Sequence, residues 1–310
     1  MKFRIIESKG AVVKTQSEVP DFVVSGLLDK AKFQELPDTY SAVAEDFLID
    51  SINKKDSPVD IRNNSETITR KIKSFLNTIR EETNKIDWNQ ILTDVNENSI
   101  KEQLADVAKK LGANERVANE IFKIEFKLLD STGPSHAGKS AIVAKQQIVR
   151  KAMDYIRIFP DASFNEVVKT LTLTTFAHEA GHVIDEKLGL FSNTIDINNE
   201  WHGGENRMER FAEFFARSIE GEGVDMSIRE QEKLIHIKKV QEVWSKVKEY
   251  NKRHQNIGVH QLFDFIKTDD EQIKDFLYAR RVMYGGNQPE NYAAPYSLEE
   301  LMKHKVKFLS

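Results

Sequence analysis

Hydrophobic and polar positions follow a mostly helical spacing along this chain. An apolar residue recurs at every third or fourth position over 68–79 and again over 104–111, before Gly112. Side chains at this spacing share one face of an α-helix. The first 24 residues instead alternate apolar and polar side chains around Gly10 and Pro20, which predicts short strands or an extended arm. We therefore predict a mainly helical region from about residue 25 to 118.

Two later segments alternate with the two-residue period of a strand. They are residues 121–129 (IFKIEFKLL) and residues 154–159 (DYIRIF), with a loop rich in Gly and Ser between them. Successive side chains of a strand point to opposite faces, so this alternation predicts two strands. Together with the helices, they predict a predominantly helical α+β fold.

The best-defined helix of the sequence is predicted over 163–188. Ser163 and Glu166 have the spacing of a capping box, and apolar residues at helical spacing follow them. Gly189 is a suitable C-terminal stop. Two further helices are predicted downstream, at 205–220 and 226–253.

Composition narrows the class of protein. The 310 residues, 40 % of them hydrophobic, are enough for about two globular domains. The 45 basic and 49 acidic residues are spread along the chain, so we expect no nucleic-acid partner. No apolar run is long enough to predict membrane insertion, and the N-terminus lacks the pattern of a Sec signal peptide. We expect a cytoplasmic protein, or one that is exported or packaged by a non-Sec route.

The sequence contains no cysteine. This excludes disulfides, thiolate zinc fingers, iron–sulfur clusters and a cysteine nucleophile. Any metal ion must therefore be held by histidines and carboxylates.

One candidate motif lies in the helix predicted over 163–188. Residues 178–182 read His-Glu-Ala-Gly-His, an H-E-x-x-H pattern. His178 and His182 are four residues apart on one helical face, so both imidazoles can reach one ion. Glu179 lies about 100° around the helix, which suits a general base for an activated water. The alternative is a buried helix with two hydrogen-bonded histidines.

A second motif, Gly133–Ser140, matches the G-x-x-x-x-G-K-[ST] pattern of a phosphate-binding loop. It follows a predicted strand, as such a loop does, and Lys139 would contact the phosphates. Three polar residues separate it from that strand, however, and the H-E-x-x-H helix begins too soon afterwards to leave room for the parallel sheet of an NTPase. A P-loop NTPase is the second alternative function.

A catalytic zinc usually has three protein ligands, and the two histidines supply only two. The metzincin pattern is excluded because position 188 is Leu and position 185 is Asp. A carboxylate from a neighbouring helix is the other solution. Residues 205–217 (ENRMERFAEFFAR) offer Glu209 and Glu213, which share one helical face.

At these residues the chain resembles the gluzincin metallopeptidases, and among them the group of the anthrax lethal factor catalytic domain and the Pro-Pro endopeptidases. Those proteins have H-E-x-G-H followed three residues later by Asp, as in 178–182 with Asp185. They continue with E-x-F-A-E-x-F, as in 209–215. The resemblance covers about 50 residues, 170–217. It implies a zincin-like core, with a small mixed sheet that has an edge strand, an H-E-x-x-H helix and a Glu-bearing helix, between helical flanking regions.

The resemblance implies a ligand set for one Zn²⁺ ion. His178, His182 and Glu209 would bind the metal, and Glu213 would orient a ligand histidine, although the reverse assignment of the two glutamates stays open. Asp185 would lie next to the ligand residues without binding the ion itself.

The resemblance also implies a donor to the transition-state oxyanion. The family has a Tyr seven residues before the ligand Glu, whereas this chain has His202 there. An imidazole can donate the same hydrogen bond.

The implied function is a zinc metalloendopeptidase, a hydrolase of peptide bonds with Glu179 as general base. Its protein or peptide substrate would pair with the predicted strand 154–159 through backbone hydrogen bonds. The first alternative is an inactive or specialised zincin-like structural or binding module in a larger assembly.

Three regions are predicted along the chain. Residues 1–100 form a mostly helical region of unknown role, residues 101–222 form the zincin-like core, and residues 223–310 form a C-terminal helical region. A partner in an assembly would bind through the N- or C-terminal helical region.

Overall fold

In a computed structural model of the chain, the described residues are 65–94, 96–131, 135–137, 139–189, 204–221, 223–253, 263–264, 266–285 and 298–303. The arm predicted at residues 1–24 and the helical stretch up to residue 64 lie outside them. The described helices are α1 (Ser65–Lys85), α2 (Trp88–Asp94), α3 (Glu97–Lys110), α4 (Glu115–Phe122), α5 (Lys145–Ile158), α6 (Phe164–Lys187), α7 (Gly204–Ala216), α8 (Met226–Arg253), α9 (Glu271–Gly285) and α10 (Leu298–Lys303). The described strands are β1 (Glu125–Leu129), β2 (His136–Ala137) and β3 (Ser140–Ala144).

The three strands form one small mixed sheet in the order β1-β3-β2. β1 runs parallel to β3, with Glu125 opposite Ser140, and β2 runs antiparallel to β3, with His136 opposite Ile142. β3 is buried along almost its whole length, as expected of a central strand, whereas β1 alternates between exposed and half-buried side chains. The prediction of a predominantly helical α+β fold with a small mixed sheet is confirmed.

The strand predicted over 121–129 is confirmed only in its second half. Residues up to Phe122 complete α4, which begins after Asn114, whose side chain accepts a hydrogen bond from the backbone N–H of Val117. Ala118 and Ile121 of this helix are buried. The helical cap and the three-residue spacing of these apolar positions favour a helix over a strand there.

The strand predicted over 154–159 is wrong, because these residues form the end of α5. Its buried apolar residues Ile148, Val149, Ala152 and Tyr155 recur at helical spacing. Residues 154–159 alone fit both the two-residue period of a strand and the 3.6-residue period of a helix. The apolar positions from Ile148 onward fit only the helix. The backbone of 154–159 is hydrogen-bonded within α5 and is not an edge strand. In the described sheet the edges belong to β1 and β2.

Helix α6 confirms the prediction for residues 163–188. The Ser163 side chain accepts a hydrogen bond from the backbone N–H of Glu166, and Gly189 adopts a φ of 70° just after the helix. The helix is buried on nearly all sides. Its threonine hydroxyls fit this dry setting, because those of Thr172 and Thr174 donate to backbone carbonyls four residues earlier.

Helix α7 packs closely along α6. A Cβ placed on Gly181 would be 2.8 Å from Cα of Ala212 and 3.2 Å from Cβ of Phe215, so only glycine allows this approach. The helix ends at Ala216, earlier than predicted. The backbone N–H of Arg217 is shared between the carbonyls of Glu213 and Phe214, and the N–H of Ser218 bonds to the carbonyl of Phe215, three residues back. Helix α8 has the predicted bounds.

One hydrophobic core joins the helices to the sheet. Phe126 of β1 stacks on Phe176 of α6, with ring centroids 4.8 Å apart. The buried core continues from α1 through α3 and α6 to α8 and α9. Within the described part of the chain, no helix combines the length and hydropathy needed to cross a bilayer.

Candidate metal centre

The two histidines of the H-E-x-x-H motif lie one turn apart on α6. Their ring centroids are 5.0 Å apart and their planes are nearly perpendicular. The side chain of His178 is 10 % exposed and that of His182 is 16 % exposed. The α6 backbone therefore holds both imidazoles on one face, beside α7.

Helix α7 brings one carboxylate to both imidazoles. Oε2 of Glu209 is 3.2 Å from Nε2 of His178, and Oε1 of Glu209 is 3.4 Å from Nε2 of His182. Ligand atoms of the three residues all lie within 4.8 Å of one another. Ligand atoms about 2.1 Å from a tetrahedral zinc ion are about 3.4 Å apart. These residues therefore fit a metal ion in both donor type and spacing.

One residue of the cluster has a largely exposed side chain. The side chain of Glu209 is 58 % exposed, whereas His178 is buried. A catalytic metal needs a coordination position that water or substrate can reach. The three residues can therefore hold an ion without enclosing it.

Electrostatics couple the three residues. Burial alone would lower the pKa of His178, but hydrogen bonds with Glu209 and Glu213 outweigh it and raise that pKa. Although much of the Glu209 side chain is exposed, its carboxylate end has crowded surroundings that would raise its pKa. Hydrogen bonds with His178 and His182 outweigh this and hold the pKa of Glu209 well below its usual range. Glu209 is thus ionised, as a carboxyl group that binds a metal must be.

Glu179 is beside this cluster and almost buried, with 7 % exposure. Burial raises the pKa of its carboxyl above the ordinary value, although charge on His178 and His182 opposes the shift. A carboxylate with a raised pKa is a better proton acceptor than an exposed one. The structure therefore places Glu179 where its chemistry suits a general base.

Glu213 contacts the opposite nitrogen of His178. Its Oε2 is 3.2 Å from Nδ1, and its side chain is 9 % exposed. The two glutamates of α7 thus occupy different positions. Glu209 faces the Nε2 atoms of both histidines, and Glu213 faces only Nδ1 of His178.

Three cations surround Glu213, one just after α7 and two on α8, and sequence reasoning missed all three. Arg229 and Lys233 reach Oε2 of Glu213 at 2.8 and 3.0 Å, and Arg217 reaches Oε1 at 3.4 Å. Burial alone would raise the pKa of Glu213, but the charges of Arg229 and Lys233 lead the effects that hold it well below its usual range. Arg229 and Lys233 are four residues apart on a helix rich in Lys and Glu. Their spacing is the one signal in the sequence, and it equally fits a solvated face.

Two other predicted site residues have different outcomes. Asp185 is fully buried on α6, three residues after His182, and its role at the site stays a prediction. His202, the predicted oxyanion donor, lies outside the described residues.

The predicted phosphate-binding loop is described only in part, since residues 132–134 and 138 lie outside the described residues. Lys139 is exposed and Ser140 begins β3. A phosphate-binding loop leads into a helix whose N-terminus faces the phosphates. Here a strand follows Lys139 directly.

Comparisons of the chain with models of protein families, with curated proteins and with solved structures find no significant match. The fold and the site define the class: a predominantly helical α+β protein with a His/His/Glu cluster that can hold a metal ion.

Proposed function

We propose that this protein is a zinc-dependent endopeptidase of the gluzincin type, with a zincin-like core formed by the sheet, α6 and α7. The observation that carries the proposal is the position of Glu209, whose two oxygens face the Nε2 atoms of both motif histidines. The buried Glu179 is next to His178 in the chain. Two imidazoles and one carboxylate, with a further carboxylate beside them, are the donor set of a catalytic zinc site with a general base.

When bound to His178, His182 and Glu209, zinc supplies the Lewis acidity that polarises a peptide carbonyl and acidifies a water molecule. Glu179 accepts a proton from the attacking water and passes it to the leaving amine. Glu213 accepts a hydrogen bond from Nδ1 of His178, which keeps the lone pair on Nε2 for the metal.

The substrate in this proposal is an extended peptide. Because residues 154–159 are helical, they cannot pair with a substrate as a strand. β2 is an edge strand of the described sheet, and it packs against α6, the helix that carries the motif. An extended segment that adds to β2 would pair through its main chain and extend the sheet next to this helix.

The substitution Glu179→Gln tests the reaction. Glutamine keeps the size of the side chain but cannot accept the proton, so we expect cleavage of a peptide library to fall by roughly 10²- to 10⁴-fold while one zinc per chain is retained. Metal content and cleavage are measured on the same preparation. Glu186→Gln, which changes an exposed carboxylate of the same helix, is the control and should cleave normally. Equal cleavage by E179Q and the unmodified chain would disprove the assignment of the base.

A further inference from the structure

Arg229 of α8 contacts the carboxylate of Glu213 at two points, and that carboxylate also contacts the buried His178. Nη2 of Arg229 is 2.8 Å from Oε2 of Glu213, and Nε of Arg229 is 3.3 Å from Oε1. Two parallel contacts of this kind between a guanidinium and a carboxylate fix both the distance and the plane of the carboxylate. Arg229 is only 2 % exposed, so little solvent competes with these bonds.

One oxygen of the Glu213 carboxylate contacts both Arg229 and a histidine of the proposed metal site. Oε2 of Glu213 contacts Arg229 on α8 and Nδ1 of His178 on α6. The orientation of the His178 ring is therefore tied, through one oxygen, to the position of a guanidinium. Lys233 and Arg217 add further contacts to Glu213, but each is a single contact and neither has the two-point geometry of Arg229.

Stability alone does not explain a buried arginine at this position. Removing an arginine from water is costly, and a buried ion pair often contributes no more to stability than well-packed apolar side chains would. Among the described residues, Nη1 of Arg229 is buried without a hydrogen-bond partner, which adds to this cost. What the arginine provides in return is a carboxylate with a defined orientation next to His178.

We infer that Arg229 is a positioning residue of the metal centre, which acts through Glu213 to hold Nε2 of His178 toward the ion. The inference rests on the proposed metal site. It extends the site from the two helices that carry the motifs to a third helix, α8. Changing a group that orients a ligand histidine typically weakens metal binding by 10- to 100-fold.

The test is a set of zinc affinities measured by competition with a chromophoric chelator. We expect Arg229→Met and Glu213→Gln each to weaken zinc binding by about 10- to 100-fold. Because Arg229 acts only through Glu213, the double variant should bind zinc no more weakly than E213Q alone. Arg229→Lys keeps the charge but cannot make the two-point contact, so it should bind zinc more tightly than R229M and more weakly than the unmodified chain.

The matched control is Arg280→Met. Arg280 is also buried, at 1 % exposure, and stacks over Phe276 in α9. Its loss removes an equivalent buried charge and should leave the zinc affinity unchanged. Unfolding of the metal-free variants, followed by circular dichroism, shows whether the affinities are compared between folded proteins. If R229M does not fold, R229K decides, and an affinity within twofold of the unmodified chain overturns the inference.

The remaining outcomes separate this inference from the proposed function. Unchanged zinc affinity in R229M, or additive losses in the double variant, overturns the role of Arg229. Zinc binding by the unmodified chain without any peptide cleavage overturns the proposed reaction alone. An unmodified chain that binds no zinc overturns both.

Discussion

At the scale of single residues, the two glutamates of α7 have different surroundings although they share one helical face. Glu209 is 58 % exposed and is next to both Nε2 atoms, whereas Glu213 is 9 % exposed and is next to one Nδ1 and a group of cations. A carboxylate whose two oxygens face two Nε2 atoms can bind an ion together with them. A buried carboxylate that already accepts hydrogen bonds from arginine is better suited to orienting a histidine.

This difference predicts unequal effects of the two amide substitutions. Glu209→Gln removes a charged ligand and should weaken zinc binding at least tenfold more than Glu213→Gln, which removes only a partner of a ligand. Metal content after dialysis against a weak chelator measures the order. Full zinc retention by E209Q together with loss by E213Q would instead support the reverse assignment that the sequence left open.

The lowered pKa of Lys151 should make the stability of the fold depend on pH. Lys151 is 20 % exposed, and burial lowers its pKa from 10.5 to about 8 although Glu232, 3.4 Å away, opposes the shift. Between pH 8 and 10.5 the unfolded chain binds this proton and the folded chain does not, so the free energy of unfolding rises with pH. The contribution is about 2 kcal/mol between pH 8 and 10.

Urea unfolding of the metal-free protein at these two pH values checks the prediction. The free energy of unfolding of the unmodified chain should increase by about 2 kcal/mol more than that of Lys151→Met. Lys110→Met, at an exposed lysine of α3, should behave like the unmodified chain. A parallel pH dependence in K151M and the unmodified chain would contradict the prediction.

At the scale of elements, the close approach of α6 and α7 sets the geometry of the His/His/Glu cluster. Glu209 and the histidines are on different helices, so their distances depend on how near the helices lie. Gly181, between the two histidines, permits that approach because its missing Cβ would meet the backbone of Ala212. Glycine within the motif therefore serves packing as well as sequence pattern.

The substitution Gly181→Ala should separate the two helices. The added methyl group meets backbone rather than a flexible side chain, so we expect a loss of about 1–3 kcal/mol in the free energy of unfolding and weaker zinc binding. Urea unfolding and chelator competition measure the two effects. Gly189→Ala is the control, because its φ of 70° makes alanine strained while no atom lies within 4 Å of the new Cβ. G189A should lose stability and keep its zinc affinity, and an unchanged affinity in G181A would contradict the role of the helix spacing.

The elements also show where local patterns suffice. The caps of α6, Ser163 and Gly189, are short-range signals, and they were sufficient to predict its bounds. Residues 154–159 alternate over too short a window to separate strand from helix, and the apolar face that decides for α5 begins several residues earlier.

At the scale of the whole molecule, the site joins parts of the chain that the predicted regions separate. Glu213 belongs to the predicted core and Arg229 to the predicted C-terminal region, yet the two are in direct contact. The predicted boundary at residues 222 and 223 itself stays a prediction. An ion bound at this site would link α6 directly to α7, and α8 through Glu213.

Zinc should therefore stabilise the whole described fold. An ion that binds only the folded chain adds about 2.7 kcal/mol to the free energy of unfolding at a free concentration 100 times its Kd. Thermal unfolding with zinc and with a chelator measures the shift in Tm, which should be absent in the His178→Ala, His182→Ala double variant. A zinc-dependent shift of equal size in that variant would place the ion elsewhere.

The sequence by itself determined the chemistry that is available and much of the local structure. A chain without cysteine must bind metal through histidines and carboxylates, and the spacing of His178 and His182 places both on one helical face because an α-helix has 3.6 residues per turn. Only the tertiary structure decided which glutamate faces which ring nitrogen, and that Arg229 and Lys233 of α8 contact Glu213 at the site. Those contacts depend on how α6, α7 and α8 pack, and the distances between helices follow from side chains far apart in the chain.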